Sequence, residues 1–148
     1  ISGDDKADVF YSVMDRRSYE MAYCSAGDIV ALHQDYASGE VSFLNKNAAA
    51  LGVDFEEGVQ SSSISLNPRD RIILCTPGIV QSENLEGECF GKERLIQSIL
   101  KASKTGVHEV RNEILLHLKK FSHGQEAQKD QTVVVQEVKD RVIKLAKR

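Results

Sequence analysis

Two clusters of acidic residues have the composition of a cation site. Asp4, Asp5 and Asp8 lie close to the N-terminus, and Asp54, Glu56 and Glu57 fall in an acidic turn spanning residues 54–58. Hard divalent cations take carboxylate oxygens at about 2.0–2.6 Å, but those oxygens must converge from positions that the fold holds in place. The first cluster belongs to a polar terminal segment and reads as solvated. The second has no paired ligand cluster after it and reads the same way. His108 and His117 fall off or beside the apolar stripe of a helical segment, so both read as exposed helix residues rather than ligands. Cys24, Cys75 and Cys89 make an odd count without CxxC spacing. Cys24 and Cys75 sit in apolar, strand-like runs and read as buried free thiols of a reducing cytoplasm. The chain has no nucleophile elbow, no phosphate-cradling glycine-rich loop and no HExxH.

The elements that would position any chemistry centre on residues 68–99. A turn, Asn67-Pro68-Arg69-Asp70, precedes the short apolar run Arg71-Ile72-Ile73-Leu74-Cys75-Thr76, whose length and turn boundaries predict a strand. Pro77-Gly78 ends it, and a polar segment leads through Glu86-Gly87-Glu88 to Phe90-Gly91. Before this stretch, β-branched and aromatic residues predict a hairpin of 9–15 and 19–26 around Asp15-Arg16-Arg17-Ser18. Further strands are expected over 29–34, 40–44 and 59–66, and a last one over 132–138. Leu95, Ile96, Ile99 and Leu100 share one face of a helix from about Lys92 to residue 104. Val107, Val110, Ile114, Leu115, Leu118 and Phe121 stripe a second, over 107–121. The fold class is therefore α+β: largely antiparallel sheets with two helices packed against one of them.

The order of residues 71–95, a strand followed by Thr76-x-Gly78, a hydrophobic pair, polar residues and Gly87-Glu88-x-Phe90-Gly91-x-Glu93-Arg94-Leu95, resembles one family. It is similar to the metal-dependent serine/threonine phosphatases of the protein phosphatase 2C superfamily, in the branch of stage II sporulation protein E and the sigma-B regulators. In that branch the strand ends in Thr-Asp-Gly and the aspartate holds a metal; here the sequence is Thr76-Pro77-Gly78. The closing Asp-Asp-x-Thr motif matches Lys129-Asp130-Gln131-Thr132, so Lys129 stands where the metal-binding aspartate would be. Ala26-Gly27 matches a further motif whose usual histidine is Asp28, and Leu51-Gly52 survives from a Gly-Pro-Pro-Leu-Gly loop. The resemblance covers about residues 8–138 and only the later two thirds of the family domain. No counterpart of the upstream Gly-Asp-x-x-Asp ligand motif is present. Proline offers a metal no side-chain ligand. A lysine ammonium about 5 Å from a dication is repelled by roughly 6 kcal/mol at an effective dielectric of 20. The resemblance thus implies a phosphatase 2C-like sandwich without catalytic residues. Manganese or magnesium is a cofactor only if the family site survives.

At 148 residues the chain is expected to form one domain, with a basic tail over 139–148. It opens on Ile1 without an initiator methionine, as a fragment of a longer chain would, and shows neither a signal peptide nor an apolar run of membrane-spanning length. The net charge of -3 divides unevenly: 15 acids against 6 bases over residues 1–90, and 7 against 13 over 91–148. Two solvated faces account for this asymmetry, and a basic surface for an acidic partner is the alternative. The basic residues lack interleaved aromatics, so nucleic acid is not an expected partner. The expectation is a degenerate, cytoplasmic phosphatase-like module that binds a protein partner in bacterial signalling and can form a homodimer. Two alternatives stand beside it: an active phosphatase seen as part of a longer chain, and a site where Lys129 holds a phosphorylated partner in place of the metal.

Overall fold

A computed structural model describes residues 5–52, 60–102 and 106–139. Asp4, the acidic turn 54–58, the last residues of the expected 92–104 helix and most of the 139–148 tail lie outside them. The elements run β1 (Val9–Met14), β2 (Glu20–Ala26), β3 (Val30–Gln34), β4 (Val41–Phe43), β5 (Ser62–Ser65), β6 (Arg71–Cys75), α1 (Pro77–Val80), α2 (Gly91–Lys101), α3 (Val107–Phe121) and β7 (Val133–Glu137). The strands form two sheets, ordered β1-β2-β5 and β4-β3-β6-β7, and every neighbouring pair of strands is antiparallel.

Three layers result, because β6 is apolar on both faces. Its alternation sends Ile72 and Leu74 toward the β1-β2-β5 sheet, into a core shared with Met21, Tyr23, Leu66 and Val138. Ile73 and Cys75 point the other way, into a larger core with Leu32, Ile79, Phe90, Leu95, Ile99, Val110, Ile114 and Leu118. A strand buried on both faces reads as a continuous apolar run, which is how residues 72–75 appear in the sequence. Helices α2 and α3 cover that second face, as expected from their stripes. The stripes are narrower than the sequence suggests: Leu100 and Leu115 are exposed, and Val110, Ile114 and Leu118 carry the burial of α3.

Four sequence expectations need correction. Pro77-Gly78 does not simply end the strand but opens α1, with proline at the first helical position, where its missing N–H costs nothing. Cys24 is half-buried, whereas Cys75 is buried and Cys89 exposed. His117 is half-buried rather than exposed. Its Nδ1 lies 2.6 Å from Ser98 Oγ, and its ring meets Phe90 edge-on at 5.3 Å. Asn67–Asp70 is more than a turn, because Asp70 is fully buried. Its carboxylate accepts the Tyr36 and Asn67 N–H groups and pairs with His33 Nε2, each at 2.9 Å. Arg71, equally buried, donates from Nε to Glu137 at 3.0 Å and from Nη1 to Gln34 at 3.2 Å, joining β6 to both neighbouring strands.

Candidate functional site

Strand β6 delivers Thr76 to the rim of the larger sheet, and the approach to β7 delivers residues 129–132 beside it. The two segments are joined by Thr76. Its Oγ1 donates to the Asp130 carbonyl and accepts the Thr132 N–H, both at 2.9 Å. Its own N–H donates to the Thr132 carbonyl at 3.1 Å. Burial of Ile79 in the core fixes α1 against the sheet. At that depth Gly78 packs so closely on the other segment that a Cβ there would collide with the Asp130 carbonyl oxygen and press on Lys129. Gln131 Nε2 reaches the Gly78 carbonyl at 3.5 Å. Thr76, Gly78, Lys129, Asp130 and Thr132 thus lie together at one junction.

The side chains in it are ill suited to a metal. Lys129 Nζ donates to Gln81 Oε1 at 2.6 Å on one side of α1, lining a polar cleft of about 280 Å³ with Glu83, Cys89 and Glu126. Pro77 lines a different cleft, together with Asp28, Lys46 and Lys92, where Asp28 is already paired to Lys46 at 2.9 Å. Asp130 supplies the only carboxylate in residues 76–78 and 129–132, and its backbone carbonyl is committed to Thr76. Among the described residues no three His, Cys, Asp or Glu side chains gather in a way that could hold an ion. A dication held by one carboxylate beside an ammonium is not a viable donor set. The residues present do not fit the metal that the resemblance implies.

Outside this constellation, the titratable groups with shifted pKa values have structural causes. Burial pushes the Cys75 thiol up to about 12, so it stays protonated and unreactive at neutral pH. Asp35 is lowered chiefly by hydrogen bonds from Ser38, within the tight turn between β3 and β4. Glu113 is lowered chiefly by Lys101, which bridges α3 to the end of α2. The cluster around Asp70 and Arg71 was not legible as a unit. Its members are far apart in sequence, and a polar pair between a turn and an apolar run is its only sequence signal.

Two facing antiparallel sheets, with helices on one outer face and the ends of β6 and β7 meeting at the rim, define a phosphatase 2C-type fold. The chain belongs to the stage II sporulation protein E (SpoIIE) family, which matches residues 2–139. No curated protein gives a significant sequence match. Among solved structures, the SiaA-PP2C domain of Pseudomonas aeruginosa superposes with a TM-score of 0.75 at 21% identity, covering 88% of this chain and 51% of that one. The phosphatase domain of the cell fate determinant SpoIIE from Bacillus subtilis gives a TM-score of 0.71 at 16% identity, over 93% of this chain and 61% of that one. The RsbU and RsbW domains of a Mycobacterium tuberculosis protein give 0.75 at 18% identity, over 91% and 38%. At these identities the similarity is one of fold. The chain spans little more than half the length of the first two structures. Among the described residues no helix is long and apolar enough to cross a membrane.

Proposed function

We propose that this chain is a catalytically degenerate member of the SpoIIE family, acting as a protein-binding regulatory module in bacterial signalling. The observation that carries the reading is the junction of Thr76-Pro77-Gly78 with Lys129-Asp130-Gln131-Thr132, the two segments in which the resemblance implies that Pro77 and Lys129 stand at metal-ligand positions. In the metal-dependent mechanism, bound ions activate water and clamp the phosphate. Neither a proline nor a lysine can hold such an ion. A scaffold that loses its ligands can keep its partner surface, since fold alone does not fix function. The partner class is a signalling protein, a reading supported by one structural relative in which an RsbU and an RsbW domain belong to the same protein. In the cytoplasm, where this reading places the chain, its thiols would remain reduced.

The test is hydrolysis of a phosphoserine peptide by the 148-residue chain with added manganese or magnesium. The expected result is a rate equal to the protein-free control, with and without chelator. Metal-dependent turnover abolished by chelator would overturn the reading. A second reading, an active metal-dependent serine/threonine phosphatase seen in part, has one observation in its favour: the chain covers 51% and 61% of two phosphatase-type structures it matches. It predicts activity only when the remaining part of such a domain is supplied. The alternative in which Lys129 grips a phosphorylated partner stays open, because the Gln81 hydrogen bond engages only one of the three N–H donors of the ammonium.

A further inference from the structure

The β1–β2 and β3–β4 turns are built alike, except where the backbone becomes left-handed. In Asp15-Arg16-Arg17-Ser18-Tyr19-Glu20 and in Asp35-Tyr36-Ala37-Ser38-Gly39-Glu40, the aspartate N–H donates to the glutamate carbonyl at 2.9 Å. The N–H of Tyr19 or Gly39 returns to the aspartate carbonyl at the same distance. In both turns the aspartate Oδ1 accepts the serine N–H, and the serine Oγ accepts the glutamate N–H. This pattern sets φ to 57° at Tyr19 and 76° at Gly39. Glycine takes that conformation freely, whereas a residue with a Cβ is disfavoured in it. The turn itself does not call for a tyrosine at 19. What the strain secures is the position of the ring.

That ring packs, partly buried, against the core between the two sheets and walls a cleft of about 230 Å³. Buried Ile72 and Val138 line its depth, with Met14 of β1 nearer the surface. Arg16 in the turn and Lys139 beyond β7 are its exposed basic residues. Neither has an ion-pair partner among the described residues, whereas the one carboxylate of the lining, Glu137, is already paired with Arg71 at 3.0 Å. We propose that this cleft binds a small amphipathic anion, an aromatic or short aliphatic carboxylate whose apolar body lies between the sheets and whose charge is met by Arg16 and Lys139. This inference goes beyond the regulatory reading and is independent of whether the phosphatase site is degenerate.

Three observations select this ligand class. Composition is the first: an apolar interior with a few charged groups at one end is the pattern of small-molecule sites, which those groups orient. Volume is the second. An apolar cavity of about 150 Å³ is enough for benzene, so the cleft has room for one ring or a short chain with an acidic substituent. Charge is the third, because pairing of Glu137 with Arg71 leaves Arg16 and Lys139 as the unmatched charges of the lining. The cleft is also not a product of the open edge at β1. Paired strands lie side by side in the plane of a sheet, whereas the cleft lies between the faces of two sheets with its basic residues at strand ends. A strand added beside β1 would widen the sheet without entering it.

Calorimetric titration of the 148-residue chain with benzoate and with hexanoate tests the proposal, with benzyl alcohol and benzylamine as controls of similar shape. The expected result is saturable binding of a carboxylate in the millimolar range, weakened by salt, with neither control binding comparably. Arg16→Glu, at an exposed turn position, should weaken carboxylate binding about tenfold or more. Arg16→Glu combined with Lys139→Glu should take benzylamine instead. Tyr19→Gly suits the left-handed turn while removing the wall, so it should abolish binding with the far-ultraviolet circular dichroism unchanged. Met14 and Met21 are the only methionines, and a shift of the Met14 methyl resonance on titration would place the ligand in the cleft. Absence of saturable binding by both carboxylates overturns the proposal. So does binding that Arg16→Glu and Tyr19→Gly both leave unchanged, which would put the ligand elsewhere and leave Tyr19 a packing residue.

Discussion

Thr76 and Asp130, 54 residues apart, are joined by a 2.9 Å hydrogen bond from a side-chain hydroxyl to a backbone carbonyl. Because the same oxygen accepts the Thr132 N–H, one threonine ties the end of β6 to the start of β7 at the rim where the matched motifs meet. The relationship is architectural, since it involves no carboxylate and nothing that a metal would need. The junction is therefore independent of the side chains of Pro77 and Lys129 that stand beside it.

Thr76→Val keeps the shape of the side chain but removes both hydroxyl bonds. Each net hydrogen bond is worth about 0.5–1.5 kcal/mol, and water can partly replace those at a half-exposed site. A loss of about 1–2 kcal/mol in urea denaturation is expected, with Thr76→Ser retaining most of the stability. Equal stability of Thr76→Val and wild type would show that the junction is held by other contacts.

Gly78 makes the complementary point by steric means. A methyl group there would overlap the Asp130 carbonyl, part of the backbone, so relief requires the two segments to separate. Overpacking of this kind typically costs about 1–3 kcal/mol. Gly78→Ala is expected to lower the melting temperature and to raise amide exchange at residues 130–132. Gly124→Ala, at a position with open space but a φ of 74°, should leave exchange at the junction unchanged.

Much of this architecture was legible in the sequence because it is periodic. The seven strand-like runs and two helical stripes correspond to β1–β7, α2 and α3, since period-2 and period-3.6 patterns report which faces are buried. Helix α1 was hidden because four residues show no period, although Thr76-Pro77 has the form of a helix start. The site was legible in another way. Resemblance pointed to residues 76–78 and 129–132, and folding brings them together through Thr76. That Pro77 and Lys129 line different clefts is a matter of orientation around α1, which no sequence pattern encodes. Nor could the Asp70 cluster be read, since its partners come from three separate segments.

Cys75 should give the fold an alkaline limit. Its thiol is raised from 9.0 to about 12 by burial, so above pH 9 the unfolded chain releases a proton that the folded chain retains. The unfolded state then binds fewer protons, and stability falls as pH rises from about 9 toward 12, at up to about 1.4 kcal/mol per pH unit from this group. Below pH 9 the group contributes no slope. Cys75→Ala is expected to flatten this alkaline decline relative to wild type, at some cost in core packing at all pH values. In the folded chain at neutral pH, exposed Cys89 should react with a thiol reagent while Cys75 reacts only at the rate of unfolding.

Asp70 carries the largest expected penalty. It is fully buried, accepts two backbone N–H groups, pairs with His33, and so pins the turn before β6 to the β3–β4 hairpin. Asp70→Ala would leave the part-buried Tyr36 and Asn67 N–H groups without their acceptor and His33 without its partner. Removing a buried acceptor from its hydrogen-bond partners typically costs about 1–3 kcal/mol per group left unsatisfied. His33→Gln should be milder, because the 17% exposure of the His33 side chain lets water reach that end while the carboxylate keeps its backbone donors. Chemical denaturation of the two variants should therefore separate them by more than the experimental error, with Asp70→Ala the less stable. If the two were equally destabilised, the His33 hydrogen bond and not the backbone bonds would be the dominant restraint that Asp70 supplies.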